Sequence, residues 1–137
     1  MNIFNLKHHN LSSLKNAISF FTNNKLNKFA EAENSDSDFL NICMTIGNSL
    51  ARLSDLKTIE RECKCRNPKR LLNTMEWGLV MLHRNLDLLG SDANKLPAIK
   101  PELLRILKKI NEEFKSNGFY LSNRYFPGLD KMTSLAV

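Results

Sequence analysis

The cysteines and histidines of this sequence are the residues whose side chains could bind a metal ion. The chain has three cysteines, and one residue separates Cys63 from Cys65. Structural zinc sites separate such cysteines by about two to four residues, and neighbouring histidines such as His8 and His9 project in different directions. The spacing therefore predicts no metal ligands and no cofactor. Cys63 and Cys65 are interpreted as small residues near the end of a helix.

A catalytic thiolate needs a histidine that accepts its proton and a device that stabilises the oxyanion. Cys43 has apolar neighbours at helical spacing, which indicates a core residue rather than a nucleophile. Lys64 and Arg66 flank the other two cysteines and could lower a thiol pKa, but no glycine-rich turn accompanies them. The sequence predicts no catalytic residue at these positions.

Paired carboxylates and phosphate-binding loops are the other sources of catalysis that we considered. Glu60 and Glu62 point away from each other on a helix, while Glu112 and Glu113 are adjacent in a lysine-rich segment and are expected to be solvated. The five glycines are isolated from one another, so no nucleotide-binding loop is formed. The sequence therefore predicts a protein that is not an enzyme.

Basic residues at the junction of two predicted helices form the most informative surface of a chain whose net charge is +6. Asn67 and Pro68 begin a helix there, and its backbone N–H groups and dipole favour an anion such as phosphate. The other interpretation is a solvated helix face that Glu60 and Glu62 partly neutralise. We call this group the basic junction, and its residues are Lys57, Arg61, Lys64, Arg66, Lys69 and Arg70.

A second basic group occurs in the last third of the chain, next to aromatic residues. Basic side chains can follow a nucleic-acid backbone while rings stack on unpaired bases, each stack contributing about 1–3 kcal/mol. Aromatic residues near a helix end can equally well close the core. The basic residues are Arg105, Lys108, Lys109 and Lys115, and the aromatic stretch is 119–126.

Composition limits the class of protein and its location. Apolar residues make up 42% and charged residues 25%, which favours one globular domain over residues 1–137. No stretch approaches the roughly 20 apolar residues of a membrane span, and the odd number of cysteines fits a reducing compartment. We expect a cytoplasmic or nuclear protein that does not bind membranes. Abundant Asn and Lys with scarce Gly and Ala suit an AT-rich genome, such as that of a virus, a phage or an AT-rich bacterium.

Helical spacing of apolar residues recurs along the chain, and no alternating strand pattern is present, so we predict an all-α bundle of about four helices. Asn67 as cap, Pro68 as first residue and Gly90 after the end delimit the third helix. Gly47 predicts a close helix crossing. The predicted elements are an arm at 1–11, helices at 12–29, 37–64, 68–89 and 101–116, and an aromatic tail at 119–137.

The third predicted helix is apolar on two sides. One side carries a seam spaced three and four residues apart, and Trp77, Met81 and Leu88 lie on roughly the opposite side. Such a helix is either central to the bundle or uses its outer side on a partner. The seam consists of Leu72, Met75, Leu79, Leu82, Leu86 and Leu89.

Two functions of different classes remain. The first is a small basic regulatory or accessory protein, viral accessory proteins included, that binds nucleic acid, RNA or single strands, through the basic junction. The second is an adaptor that binds another protein, such as a host protein, or a second copy of itself through Trp77, Met81 and Leu88.

Overall fold

Four α-helices make up the part of the protein that the computed structural model describes. Of the described residues, 97% are helical and none is in a strand, which confirms the predicted all-α bundle of about four helices. The described residues are 11–23, 34–53, 67–90 and 93–116. The helices are α1 (Leu11–Asn23), α2 (Asn34–Leu53), α3 (Pro68–Leu89) and α4 (Leu96–Ser116), with a 3-10 turn at Ala93–Lys95.

α3 has the boundaries that its sequence predicts. Asn67 is extended, with φ −139° and ψ 90°, and its side-chain oxygen accepts the N–H of Arg70 at 3.1 Å. Pro68 follows as the first helical residue, where its missing N–H costs no intrahelical bond. At the other end Gly90 has φ 59°, and its N–H is donated to Leu86 and Asp87 carbonyls. Local residue chemistry therefore accounts for both ends of this helix.

α4 begins earlier than predicted, at Leu96 rather than at Pro101. Pro101 lies inside the helix, where it cannot donate to the Pro97 carbonyl and disfavours continuation of the helix. Burial of Leu96 and a contact of the Lys100 amine with the Phe39 ring, 5.1 Å from its centroid, hold the first turns against the bundle. Tertiary packing therefore overrides the local signal of the proline.

α1 and α2 differ from prediction at their ends. α1 begins at Leu11, one residue before the predicted start, and α2 begins at Asn34 rather than at residue 37. The predicted stretches 24–29 and 54–64, the arm apart from Leu11, and the tail at 119–137 lie outside the described residues.

α3 is the central helix, since it packs against α1, α2 and α4. Five residues of its predicted seam are buried, and Leu72 packs half-buried against the same core. Trp77, on the other side, is also buried, with 6% of its surface exposed. The middle of α3 is therefore buried at the centre of the bundle and does not present an outer face to a partner.

Two glycines lie at helix crossings, as the sequence predicts for Gly47. A Cβ atom on Gly47 of α2 would overlap the ring of Phe21 from α1, and Asn48 next to it donates to the Phe21 carbonyl at 3.0 Å. A Cβ atom on Gly78 of α3 would lie 2.7 Å from the Cδ1 atom of Ile110 in α4. Each glycine therefore permits two helices to approach more closely than any larger residue would.

Candidate nucleic-acid interface

Part of the predicted basic surface falls within the described residues. Lys69 and Arg70 lie in the first turn of α3, and Arg105, Lys108 and Lys109 lie on α4. The other members of the basic junction lie outside the described residues, and they are Lys57, Arg61, Lys64 and Arg66. The geometry of the candidate site is therefore that of α3 and α4.

An ion pair between Arg70 and Glu113 connects the beginning of α3 to the last turns of α4. Arg70 Nε donates to Glu113 Oε2 at 2.7 Å, and Nη2 donates to Oε1 at 2.8 Å, in a bidentate pair. The two residues are 43 positions apart in the sequence. The Glu113 side chain is only 11% exposed, whereas that of Arg70 is 51% exposed. The expectation that Glu113 would be solvated is therefore wrong.

The ion pair favours the charged form of both partners, so their pKa values shift in opposite directions. The hydrogen bond from Arg70 lowers the pKa of Glu113 below its ordinary value against the opposing effect of burial, and the charges of Arg70 and Lys109 add to the lowering. The hydrogen bond to Glu113, and then its charge, raise the pKa of Arg70. Both side chains therefore remain ionised at neutral pH.

The same contact brings Lys109 of the second basic group close to the basic residues at the start of α3. Lys69 is next to Arg70 in the sequence. Lys109 lies one helical turn before Glu113, and its positive charge helps to lower the pKa of Glu113. Lys69 and Lys108 are exposed and Lys109 is half-buried. Residues 67–70 and 105–116 contain six basic residues against two acids. We call Lys69, Arg70, Arg105, Lys108 and Lys109 the α3–α4 basic surface.

Arg105 carries an acidic partner of its own. Its Nε donates to Glu102 Oε2 at 2.9 Å and its Nη2 atom lies 2.6 Å from Oε1, one turn earlier in α4. Both side chains are exposed, so the pair contributes little to stability in water. Hydrogen bonding to Arg105 lowers the pKa of Glu102, against a smaller opposing effect of burial. Glu102 therefore partly neutralises the charge of Arg105, as Glu113 does that of Arg70.

The backbone at the start of α3 offers less to an anion than its sequence indicates. Pro68 has no N–H, and the N–H of Arg70 is donated to Asn67 Oδ1. Of the first three helical residues, only Lys69 has an N–H without an acceptor among the described residues. A phosphate at this end would therefore be bound mainly by side chains.

The predicted partner face of α3 is not a continuous surface. Trp77 is a core residue, which corrects its assignment to an outer face, and Met81 packs half-buried against the core. Leu88 is 66% exposed and is the one large hydrophobic residue exposed among the described residues. A single exposed leucine is common on soluble proteins and does not by itself indicate an interface.

Cys43 is a core residue, as its spacing predicts, and is fully buried. Burial raises the pKa of its thiol to about 12, which keeps it protonated. His83 packs its ring against that of Phe20, with centroids 4.8 Å apart. No group of three or more metal-binding side chains occurs in the described part of the chain. The remaining candidates, His8, His9, Cys63 and Cys65, lie outside it.

Sequence reasoning missed Glu113, although a signal for it was present. Glu113 lies seven residues after Ile106 and three after Ile110, which places it on the buried side of α4. An ionised carboxylate at such a position requires a partner, because burial of an unpaired charge is costly. The helical spacing therefore predicts that an acid is buried and paired, but it does not identify Arg70.

No protein-family model matches this chain, and no curated protein or solved structure is significantly similar to it. None of the described helices combines the length and the apolar character needed to cross a membrane.

Proposed function

We propose that this protein is a non-enzymatic regulatory or accessory protein that binds RNA or single-stranded DNA through the α3–α4 basic surface. The observation that supports the proposal is the Arg70–Glu113 ion pair, which joins basic residues of two helices at one end of the bundle. We also propose a cytoplasmic or nuclear location, where such strands occur. A viral accessory protein is one class that suits the size and charge of the chain.

The charge of this surface suits the nucleic-acid backbone better than it suits a particular base sequence. Lysine amines bind phosphates through charge and release counterions, so each phosphate contact steepens the salt dependence by about 0.7 for a single strand. Lys69 and Lys108 are exposed, and Arg70 is half-exposed. A footprint of four phosphates predicts a slope of roughly −3 in a plot of log affinity against log salt.

The adaptor hypothesis has less support from the described residues. Its anchor would be Trp77, which lies in the core, and this leaves Leu88 as the exposed apolar residue of that face. Protein interfaces depend on a cluster of buried anchors rather than on one side chain. A dimer in solution that does not retain nucleic acid would favour the adaptor over the present proposal.

Fluorescence anisotropy with a labelled oligo-uridine of about 20 nucleotides, in roughly 50 mM and 200 mM salt, tests the proposal. We expect salt-sensitive binding by the full chain. A double variant, Lys69→Gln with Lys108→Gln, should bind more weakly and lose about 1.4 of the slope, because two phosphate contacts are removed. Both side chains are exposed, so the fold should be unchanged.

The matched control removes the same charge from the opposite ends of the same two helices. Arg84 lies late in α3 and Lys95 lies just before α4, and both are exposed. The double variant Arg84→Gln with Lys95→Gln should retain most of the affinity and most of the slope. Equal weakening by the two double variants would contradict a localised site, and a wild-type chain that does not bind would contradict the function itself.

A further inference from the structure

Two ion pairs among the described residues, Glu102–Arg105 and Arg70–Glu113, differ in how they constrain their arginines. Glu102 and Arg105 are in the same helix and both are exposed, so water competes for each. Glu113 is almost completely buried and holds Arg70 from another helix. A bidentate pair with a buried partner fixes the plane of the guanidinium as well as its position.

Arg70 is held through its backbone and through its guanidinium, while part of its side chain remains at the surface. Its backbone N–H is bound by the Asn67 side chain, and two nitrogens of its guanidinium are bound by Glu113. The side chain is nevertheless 51% exposed. An arginine that is held in this way loses little conformational entropy when it binds a ligand, in contrast to an unconstrained lysine such as Lys69.

We infer that Glu113 is a positioning residue for nucleic-acid binding. It orients the Arg70 guanidinium so that the exposed part meets a phosphodiester group of the bound strand. This inference rests on the function proposed above and adds a role for an acidic residue inside a basic surface. Its partner chemistry is the phosphate backbone of single-stranded RNA or DNA.

The inference predicts an effect opposite in sign to that of simple electrostatics. Glu113→Gln removes a negative charge from a surface that meets a polyanion, so charge alone predicts tighter binding. If Glu113 positions Arg70, the variant instead binds roughly two- to tenfold more weakly, because a long side chain must then be ordered on binding. Its salt slope should also fall as the Arg70 contact is weakened.

Glu112→Gln is the matched control, because Glu112 is the adjacent residue of α4, carries the same charge and is exposed. We expect this variant to bind oligo-uridine as tightly as the wild type or more tightly. Circular dichroism at the assay temperature would show that both variants are folded. Tighter binding by both variants would overturn the inference while leaving the proposed function intact.

Arg70→Lys provides a second test that keeps the net charge unchanged. Lysine cannot form the bidentate pair, so the variant should lose affinity by a factor similar to that for Glu113→Gln. Binding by Arg70→Lys equal to that of the wild type would overturn the inference even if Glu113→Gln failed to fold. Absence of binding by the wild type would overturn the inference and the proposed function together.

Discussion

The middle of α3 and its first turn lie in opposite environments. At the middle, Trp77 is buried, and Gly78 meets side chains of Ile110 and Leu50 from two other helices. At the first turn, Lys69 is exposed and Arg70 reaches α4 through one carboxylate. Substitutions in the middle should therefore change stability, and those in the first turn should change binding with little effect on stability.

Trp77→Ala should have the largest effect on this contrast. Removal of a buried tryptophan side chain costs about 3–5 kcal/mol of unfolding free energy, a large part of the roughly 5–15 kcal/mol by which an ordinary domain is stable. Leu88→Ala, at an exposed position of the same helix, should change stability by less than about 0.5 kcal/mol. Urea unfolding followed by circular dichroism compares them. A Trp77→Ala monomer as stable as the wild type would revive the adaptor hypothesis.

Gly47→Ala should rank second and should exceed Gly78→Ala. The added Cβ at Gly47 meets the ring of the fully buried Phe21, which overpacks the crossing at a cost of about 1–3 kcal/mol. At Gly78 the nearest atom is the terminal Cδ1 of Ile110, which can move, and alanine favours a helix by about 1 kcal/mol over glycine. Gly78→Ala should therefore be nearly neutral in thermal unfolding. The reverse order would show that the crossing of α3 and α4 is packed more tightly than the crossing of α1 and α2.

The smallest effect should be the dependence of stability on pH that Glu113 causes. Its pKa in the folded protein is below the ordinary value of 4.5, so the ion pair stabilises the fold above that pH, and this contribution is lost as the pH falls through and below it. Glu76 acts in the opposite direction, because burial raises its pKa. Glu113→Gln should lower the midpoint of thermal unfolding by a few degrees at neutral pH. As the pH is lowered, the midpoint of this variant should fall less than that of the wild type.

Glu102→Gln is the control for that titration. The pKa of Glu102 is also lowered, by Arg105, but its pair is exposed and lies within one helix. This variant should keep most of the acid dependence of the wild type. Equal loss of the acid dependence in both variants would show that an ion pair between helices contributes no more to stability than one within a helix.

Local residue chemistry and apolar spacing are enough to predict the class of fold and the ends of α3. Asn67, Pro68 and Gly90 act on backbone groups a few residues away, so their effects can be derived without knowledge of the rest of the chain. The apolar spacing likewise predicted that Cys43 belongs to the core and that Gly47 permits a close helix crossing. These properties depend on neighbours within a few helical turns, which is why periodicity reveals them.

The start of α4 and the partner of Glu113 depend instead on packing between helices. Continuation of α4 past Pro101 depends on burial of Leu96 against other helices, and no local signal reports that energy. Glu113 and Arg70 are 43 positions apart, and antiparallel packing of α3 and α4 brings them together. The two basic groups are likewise separate in the sequence. Charges on different helices become neighbours only when the bundle forms.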